Sequence, residues 1–143
     1  MNIPDKIKLE EIIKELQKIM RVQDTNIQFE FKNAIEMYKL TNNNETTAQV
    51  NFDRNHNLVR MCMNLEPDHC EGLGYGDWYY EIMHEMYHIV TDEFMVFIEP
   101  LMDGDLEKRF EKAFKEQEEK LVSRLADVFI SIYPVTNFIK EGV

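Results

Sequence analysis

Two histidines and a glutamate lie within five consecutive residues of the chain, His84-Glu85-Met86-Tyr87-His88. In a helix, residues four apart lie on the same face, so both imidazoles can bind one ion, and this ligand type and spacing suit tetrahedral zinc. Glu85 is rotated by about 100° from His84, which places it beside the ligands, where a general base belongs. The motif therefore predicts a zinc site formed by His84 and His88 and a hydrolytic reaction with Glu85 as the base.

Catalytic zinc sites commonly use three protein ligands and a water molecule, so one further ligand is expected from another element. Glu118 and Glu119 are the candidates, because they lead into a helical apolar pattern made of Leu121, Val122, Leu125 and Ala126. On a helical wheel Glu118 falls inside this stripe and Glu119 at its edge, so position alone slightly favours Glu118. The other two histidines, His56 and His69, lie in predicted loops and are expected at the surface.

Helical periodicity predicts three long helices. The first runs from about Pro4 to Val22, and the second begins at Asp77, contains the histidine motif and meets no helix breaker before Pro100. The third follows Asp103-Gly104-Asp105 and ends at Pro134. Its apolar stripe is expected to face the core and consists of Phe110, Phe114, Leu121, Leu125, Val128 and Ile132.

Three strands are predicted between the first two helices. The first is indicated by alternation of apolar and polar residues over Ile27–Phe31, and the others are Thr46–Phe52 and Leu58–Leu65, joined by the turn formers of Asp53–Asn57. An antiparallel sheet is the simplest arrangement of these strands. Pro67–Gly76 is predicted to be a loop. The length of 143 residues fits one domain spanning residues 1–143.

The composition argues against several classes of partner. The formal charge is −11, from 27 acidic and 16 basic residues, and this charge repels phosphate backbones and anionic lipids. Cys62 and Cys70 lack the spacing of a redox pair, which favours reduced thiols in the cytoplasm. The longest apolar run, Phe94–Ile98, is too short to cross a bilayer, and no signal peptide is recognised. We therefore expect a cytoplasmic protein that binds neither nucleic acid nor membranes.

The segment Glu-Ile-Met-His-Glu-Met-Tyr-His-Ile-Val around the motif resembles the active-site helix of the zincin metallopeptidases. The later segment Glu119-Lys-Leu-Val-Ser-Arg-Leu-Ala126, followed by Pro134, resembles the second signature of the glutamate-ligand branch, which includes small bacterial and phage-encoded ImmA/IrrE-type peptidases. This resemblance implies that Glu119 is the third zinc ligand and that the substrate is a protein or peptide. It also implies a zincin-like α+β fold, with a small antiparallel or mixed sheet packed against the active-site helix and flanked by N-terminal and long C-terminal helices.

Two other classes of function remain open from the sequence. The chain could be a non-catalytic zinc-stabilised interaction module, such as a phage could encode, with a fourth protein ligand and an acidic surface for a basic partner. Alternatively, both histidines could simply pack in a metal-free domain. Asp92 and Ser123 are further candidates for orienting a histidine. The candidates for stabilising an oxyanion are Tyr75, Tyr79, Tyr133, His69 and Arg124, among which the sequence does not choose.

Overall fold

A computed structural model describes residues 5–43, 45–98 and 104–134, with the exception of the side chains of residues 54, 93–95, 97, 98 and 104–110. Within these residues helices and strands are mixed, as predicted for an α+β fold. A 3₁₀ turn at Arg54–His56 separates the last two strands. In chain order the elements are α1 (Lys6–Ile19), β1 (Ile27–Lys32), α2 (Ala34–Thr41), β2 (Ala48–Asp53), β3 (Leu58–Asn64), α3 (Pro67–Cys70), α4 (Tyr75–Ile98) and α5 (Gly104–Ile132).

The three strands form one mixed sheet with β3 in the centre and β1 and β2 at its edges. The predicted antiparallel pairing is found between β2 and β3, whereas β1 runs parallel to β3. The two antiparallel strands are joined by a short turn, but β1 reaches β3 only after the chain has passed through α2 and β2. A parallel pair requires such an indirect connection. An all-antiparallel sheet is therefore wrong, and the mixed sheet is confirmed.

One face of the sheet carries the core. Strand alternation and the pairing register bring together three apolar side chains from each strand. Helices α1 and α4 cover them with fully buried residues such as Leu9, Ile13, Trp78 and Met83. The nine apolar positions on this face are Ile27, Phe29, Phe31, Ala48, Val50, Phe52, Val59, Met61 and Met63. This packing fixes α4 against the sheet and against β2 in particular.

Two short helices lie where the sequence analysis predicted none. Helix α2 begins at a capping box in which Asn33 and Glu36 exchange hydrogen bonds, and it ends at Asn42, whose φ of 58° is left-handed. Only Met37 of this helix is fully buried, so the helix lacks the apolar periodicity that revealed the longer ones. Helix α3 is a single turn within the predicted loop Pro67–Gly76.

The long helices lie close to their predicted positions. Helix α1 has Asp5 as its N-cap, and α4 begins two residues before the predicted Asp77. Pro4, Pro100, Asp103 and the side chain of Phe110 lie outside the described part of the chain. No helix of the described ranges is long and apolar enough to span a bilayer.

The buried stripe of α5 differs from the predicted one. Val122 and Ala126 are fully buried, whereas Leu121, Val128 and Ile132 are 49%, 57% and 76% exposed. Helix α5 therefore contacts the protein along a narrower line, on which the small Ala126 allows another element to approach closely. Because the two glutamates of the candidate site precede Val122 by three and four residues, both project from this contacting side of α5.

Candidate metal centre

The two histidines of the motif project from the same side of α4, as the spacing predicted. The Nε2 atoms of His84 and His88 lie 3.2 Å apart, and both rings are partly buried. Burial, followed by the charge of His88, lowers the pKa of His84 and favours its neutral form. Neutral imidazole is the form that binds metal ions. Together with Glu85 the two histidines form a group that could hold a metal ion.

Glu119 reaches this pair from α5. Its Oε2 lies 3.1 Å from Nε2 of His84 and its Oε1 lies 3.0 Å from Nε2 of His88. Zinc–nitrogen and zinc–oxygen bonds of about 2.0–2.1 Å imply ligand atoms roughly 3.3 Å apart at the corners of a tetrahedron. The donor atoms of the three residues thus already have nearly the spacing of a tetrahedral zinc site. The structure brings the three predicted ligands together, and their role as ligands stays a prediction.

These three contacts cannot all be hydrogen bonds while Glu119 is ionised. Each Nε2 atom carries either a proton or a lone pair, and carboxylate oxygens only accept. If both nitrogens are protonated, two N–H groups face each other between His84 and His88. If only one or neither is protonated, a lone pair faces an oxygen of Glu119. A bound cation resolves this conflict, because every lone pair then points toward positive charge.

Glu118 contacts the opposite side of the His88 ring. Its Oε1 lies 3.0 Å from Nδ1 of His88 and accepts a 2.8 Å hydrogen bond from the hydroxyl of Thr91. A carboxylate at Nδ1 favours the tautomer in which Nδ1 carries the proton and Nε2 is free to bind a metal. Glu118, which the helical wheel slightly favoured as the ligand, is therefore placed to orient His88, and Glu119 faces the two Nε2 atoms.

We expect the Glu118→Ala variant to bind zinc about 10- to 100-fold more weakly than the unsubstituted chain, since it loses the acceptor that orients His88. The dissociation constants would be measured by competition with a chromophoric chelator. Glu116→Ala serves as the control, because Glu116 is an exposed acid on the same helix. Equal zinc affinity in the two variants would show that Glu118 does not orient the ligand.

Ser123, one of the two other candidates for orienting a histidine, lies near the ring of His84. Its Oγ is 3.5 Å from Nδ1 of His84, at the limit of hydrogen bonding. Asp92, one turn beyond His88 on α4, lines the cleft beside the site. The remaining histidines lie elsewhere: His56 is exposed beside Asp53, and His69 is half-buried with its Nε2 2.9 Å from Oγ1 of Thr47.

Glu85 is buried between α4 and the edge of the sheet. Only 8% of its surface is exposed, and its Oε2 accepts a 2.8 Å hydrogen bond from the backbone N–H of Val50 on β2. Burial raises the pKa of Glu85 to about 7, although the positive charge of His88 and the Val50 N–H act in the opposite direction. A general base works best with a pKa near the working pH. The side chain thus lies where the motif predicts the base, and its raised pKa suits a proton acceptor.

A cleft of about 560 Å³ is lined by His84, His88 and Glu119 and by Glu85. One wall is the edge strand β2 with the residues before it, from Glu45 to Val50, together with Phe52. The other walls come from α4 and α5. Among the described residues, the ionisable side chains that line the cleft are all acids or histidines, namely Glu45, Glu81, His84, Glu85, His88, Asp92, Glu118 and Glu119.

None of the five candidates for stabilising an oxyanion lines the described part of this cleft. Tyr79 is buried, and its hydroxyl donates a 2.6 Å hydrogen bond to the backbone oxygen of Tyr133. Tyr75 lies beside the start of α1, where its hydroxyl is 3.4 Å from the backbone nitrogen of Asp5. His69 contacts the cleft indirectly through Thr47. The structure therefore does not assign this role to any of the five.

Two contacts at the site were not predicted from the sequence, namely those of the Val50 backbone N–H and of Thr91. A backbone N–H belongs to almost every residue, so residue types carry no signal for it. Thr91 does have a weak signal, because it lies three residues after His88 and so near the same helix face.

Four side chains from α4 and α5 meet at this site. His84, Glu85 and His88 could hold a metal ion, and Glu119 contacts both histidines. No protein-family model, curated protein or solved structure matches the chain significantly.

Proposed function

We propose that the chain is a zinc-dependent peptidase of the zincin type, in which His84, His88 and Glu119 bind the metal ion and Glu85 is the general base. The observation that carries this proposal is the mutual approach of two imidazole nitrogens and a carboxylate within 3.0–3.2 Å. No protonation state satisfies all three contacts with Glu119 ionised, whereas one bound cation does.

The donor set supports zinc as the ion. Two imidazoles and one carboxylate are a common ligand set of catalytic zinc, whereas magnesium and calcium prefer oxygen ligands throughout. Bound zinc would polarise a carbonyl group and lower the pKa of a water molecule to about 7. Glu118, held by Thr91, would keep Nε2 of His88 unprotonated, as metal binding requires.

Glu85 would transfer the proton in this reaction. Its Oε2 is engaged by the N–H of Val50, which leaves Oε1 to take a proton from the attacking water and deliver it to the leaving amine. A positioned base of this kind accelerates reactions by about 10²- to 10⁴-fold. Peptide hydrolysis needs both steps, because the amine leaves only after it has been protonated.

The cleft supports an extended peptide as the substrate. Strand β2 lies at the edge of the sheet and forms one wall of the cleft beside the histidines. Extended peptides bind to such edges through main-chain hydrogen bonds. The element order also supports a zincin-like fold, since a small sheet packs on the helix with the histidines and a following helix supplies the glutamate.

The alternative of a non-catalytic zinc module is less well supported. It requires a fourth protein ligand, but Glu118 contacts Nδ1 of His88 and Thr91 instead, and Oε2 of Glu85 accepts the hydrogen bond from Val50. The candidate site also opens onto a cleft, whereas a structural metal site is closed by protein ligands.

The direct test is digestion of a mixed peptide library by the zinc-loaded chain, with new termini identified by mass spectrometry. We expect cleavage that stops when zinc is removed by a chelator and returns with zinc but not with magnesium. Absence of cleavage by protein that contains one zinc per chain would contradict the peptidase proposal and favour the interaction module.

A further inference from the structure

We propose that the backbone N–H of Val50 is a positioning group that holds the Glu85 carboxylate in the orientation needed for proton transfer. The edge of the sheet, and not α4 alone, would then determine where the base points. This inference rests on the proposed function, because it gives the base a partner in the same reaction.

Glu85 needs a partner outside its own helix. Helix α4 fixes the backbone of Glu85, but a glutamate side chain still has three rotatable bonds. Within the described residues, the one hydrogen bond that its carboxylate makes is the 2.8 Å bond to Oε2 from the N–H of Val50. No lysine or arginine lines the cleft in the described part of the chain. The Val50 N–H is therefore the group that orients this buried carboxylate.

The position of Val50 in β2 leaves its N–H available for this role. The backbone oxygen of Thr47 accepts a hydrogen bond from the backbone N–H of Asn64. Every second residue from Thr47 onward therefore forms its backbone hydrogen bonds with β3. Val50 lies opposite Met61 at one of the intervening positions, and its N–H points away from β3. At a sheet edge this group would otherwise face solvent or a substrate. Its hydrogen bond with Glu85 joins the edge of the sheet to α4 beside the histidines.

Amide hydrogen exchange tests the hydrogen bond without any activity measurement. In the metal-free chain, we expect the Val50 amide to exchange slowly although it points away from its neighbouring strand. Glu85→Ala should accelerate its exchange by at least about tenfold, the factor expected for loss of a bond to a charged acceptor. Glu85→Gln should restore most of the protection, because the amide oxygen of glutamine also accepts. Unchanged exchange of Val50 in Glu85→Ala would overturn the inference.

Two substitutions of Val50 test the consequence for catalysis. Val50→Pro removes the N–H, and proline is tolerated in an edge strand where the N–H points outward. Val50→Ala removes most of the side chain and keeps the N–H, so it controls for lost packing. We expect kcat of Val50→Pro to be about 10- to 100-fold below that of Val50→Ala, the penalty of a misplaced catalytic group, with equal KM and zinc content.

The outcomes separate this inference from the proposed function. If the unsubstituted zinc-loaded chain hydrolyses peptides and the two Val50 variants have equal kcat, the peptidase proposal stands and the positioning role is wrong. If the unsubstituted chain does not hydrolyse peptides, the proposed function fails and the positioning role fails with it. Should Val50→Pro not fold, the hydrogen-exchange comparison of the Glu85 variants still decides whether Val50 holds the carboxylate.

Discussion

Replacing Glu85 with glutamine is expected to lower kcat for peptide hydrolysis by about 10²- to 10⁴-fold, the contribution of a positioned general base. Glutamine has nearly the same shape and can accept the Val50 hydrogen bond that Oε2 now accepts, but it cannot take a proton. Because Glu85 is not a proposed ligand, the variant should retain one zinc per chain. The measurements are kcat on a cleaved library peptide and the zinc content by elemental analysis.

Glu81→Gln is the matched control for this experiment. Glu81 lies one turn before Glu85 on α4 and lines the same cleft, and burial raises the pKa of its carboxyl group too. Within the described residues Glu81 forms no hydrogen bond or ion pair with Val50 or with either histidine, and its charge is only a minor cause of the raised pKa of Glu85, so its loss should change kcat far less. If Glu85→Gln retains full activity with full zinc occupancy, Glu85 is not the base and the catalytic proposal is wrong.

The strands were largely predictable from the sequence, and their pairing was not. Alternation over Ile27–Phe31 located β1 because the apolar side chains of one face, although only partly buried, pack against the core. Nothing in that alternation indicates which neighbour β1 joins or in which direction. The parallel pairing with β3 depends on the passage through α2, whose single fully buried residue, Met37, gives no readable period.

The candidate metal site was also predictable only in part. The spacing of His84 and His88 alone places both rings on one face, since this follows from helix geometry. The choice between Glu118 and Glu119 depends on how α5 is rotated about its axis. The apolar stripe predicted for α5 implied a different rotation from the observed one. Burial of Val122 and Ala126 turns Glu119 toward the two Nε2 atoms and Glu118 toward Nδ1 of His88.

Zinc is expected to raise the melting temperature of the chain by on the order of 10 °C when the free metal is about 1,000-fold above its dissociation constant, which corresponds to about 4 kcal/mol of stabilisation. The proposed ligands come from α4 and α5, so the complete set exists only when the two helices are packed together. A metal that binds only this folded arrangement must stabilise it. Differential scanning calorimetry with and without zinc measures the shift.

His88→Ala should abolish most of the zinc-dependent shift, whereas His56→Ala should retain it, because His56 is exposed and contacts Asp53 away from the cleft. The metal-free proteins provide a second comparison. Without a cation, the contacts among His84, His88 and Glu119 include at least one unfavourable pair of like groups while Glu119 is ionised. Removing one histidine relieves that conflict, so His84→Ala should cost the metal-free chain little stability even though it removes zinc binding. An equal zinc shift in His88→Ala and His56→Ala would contradict the proposed ligand set.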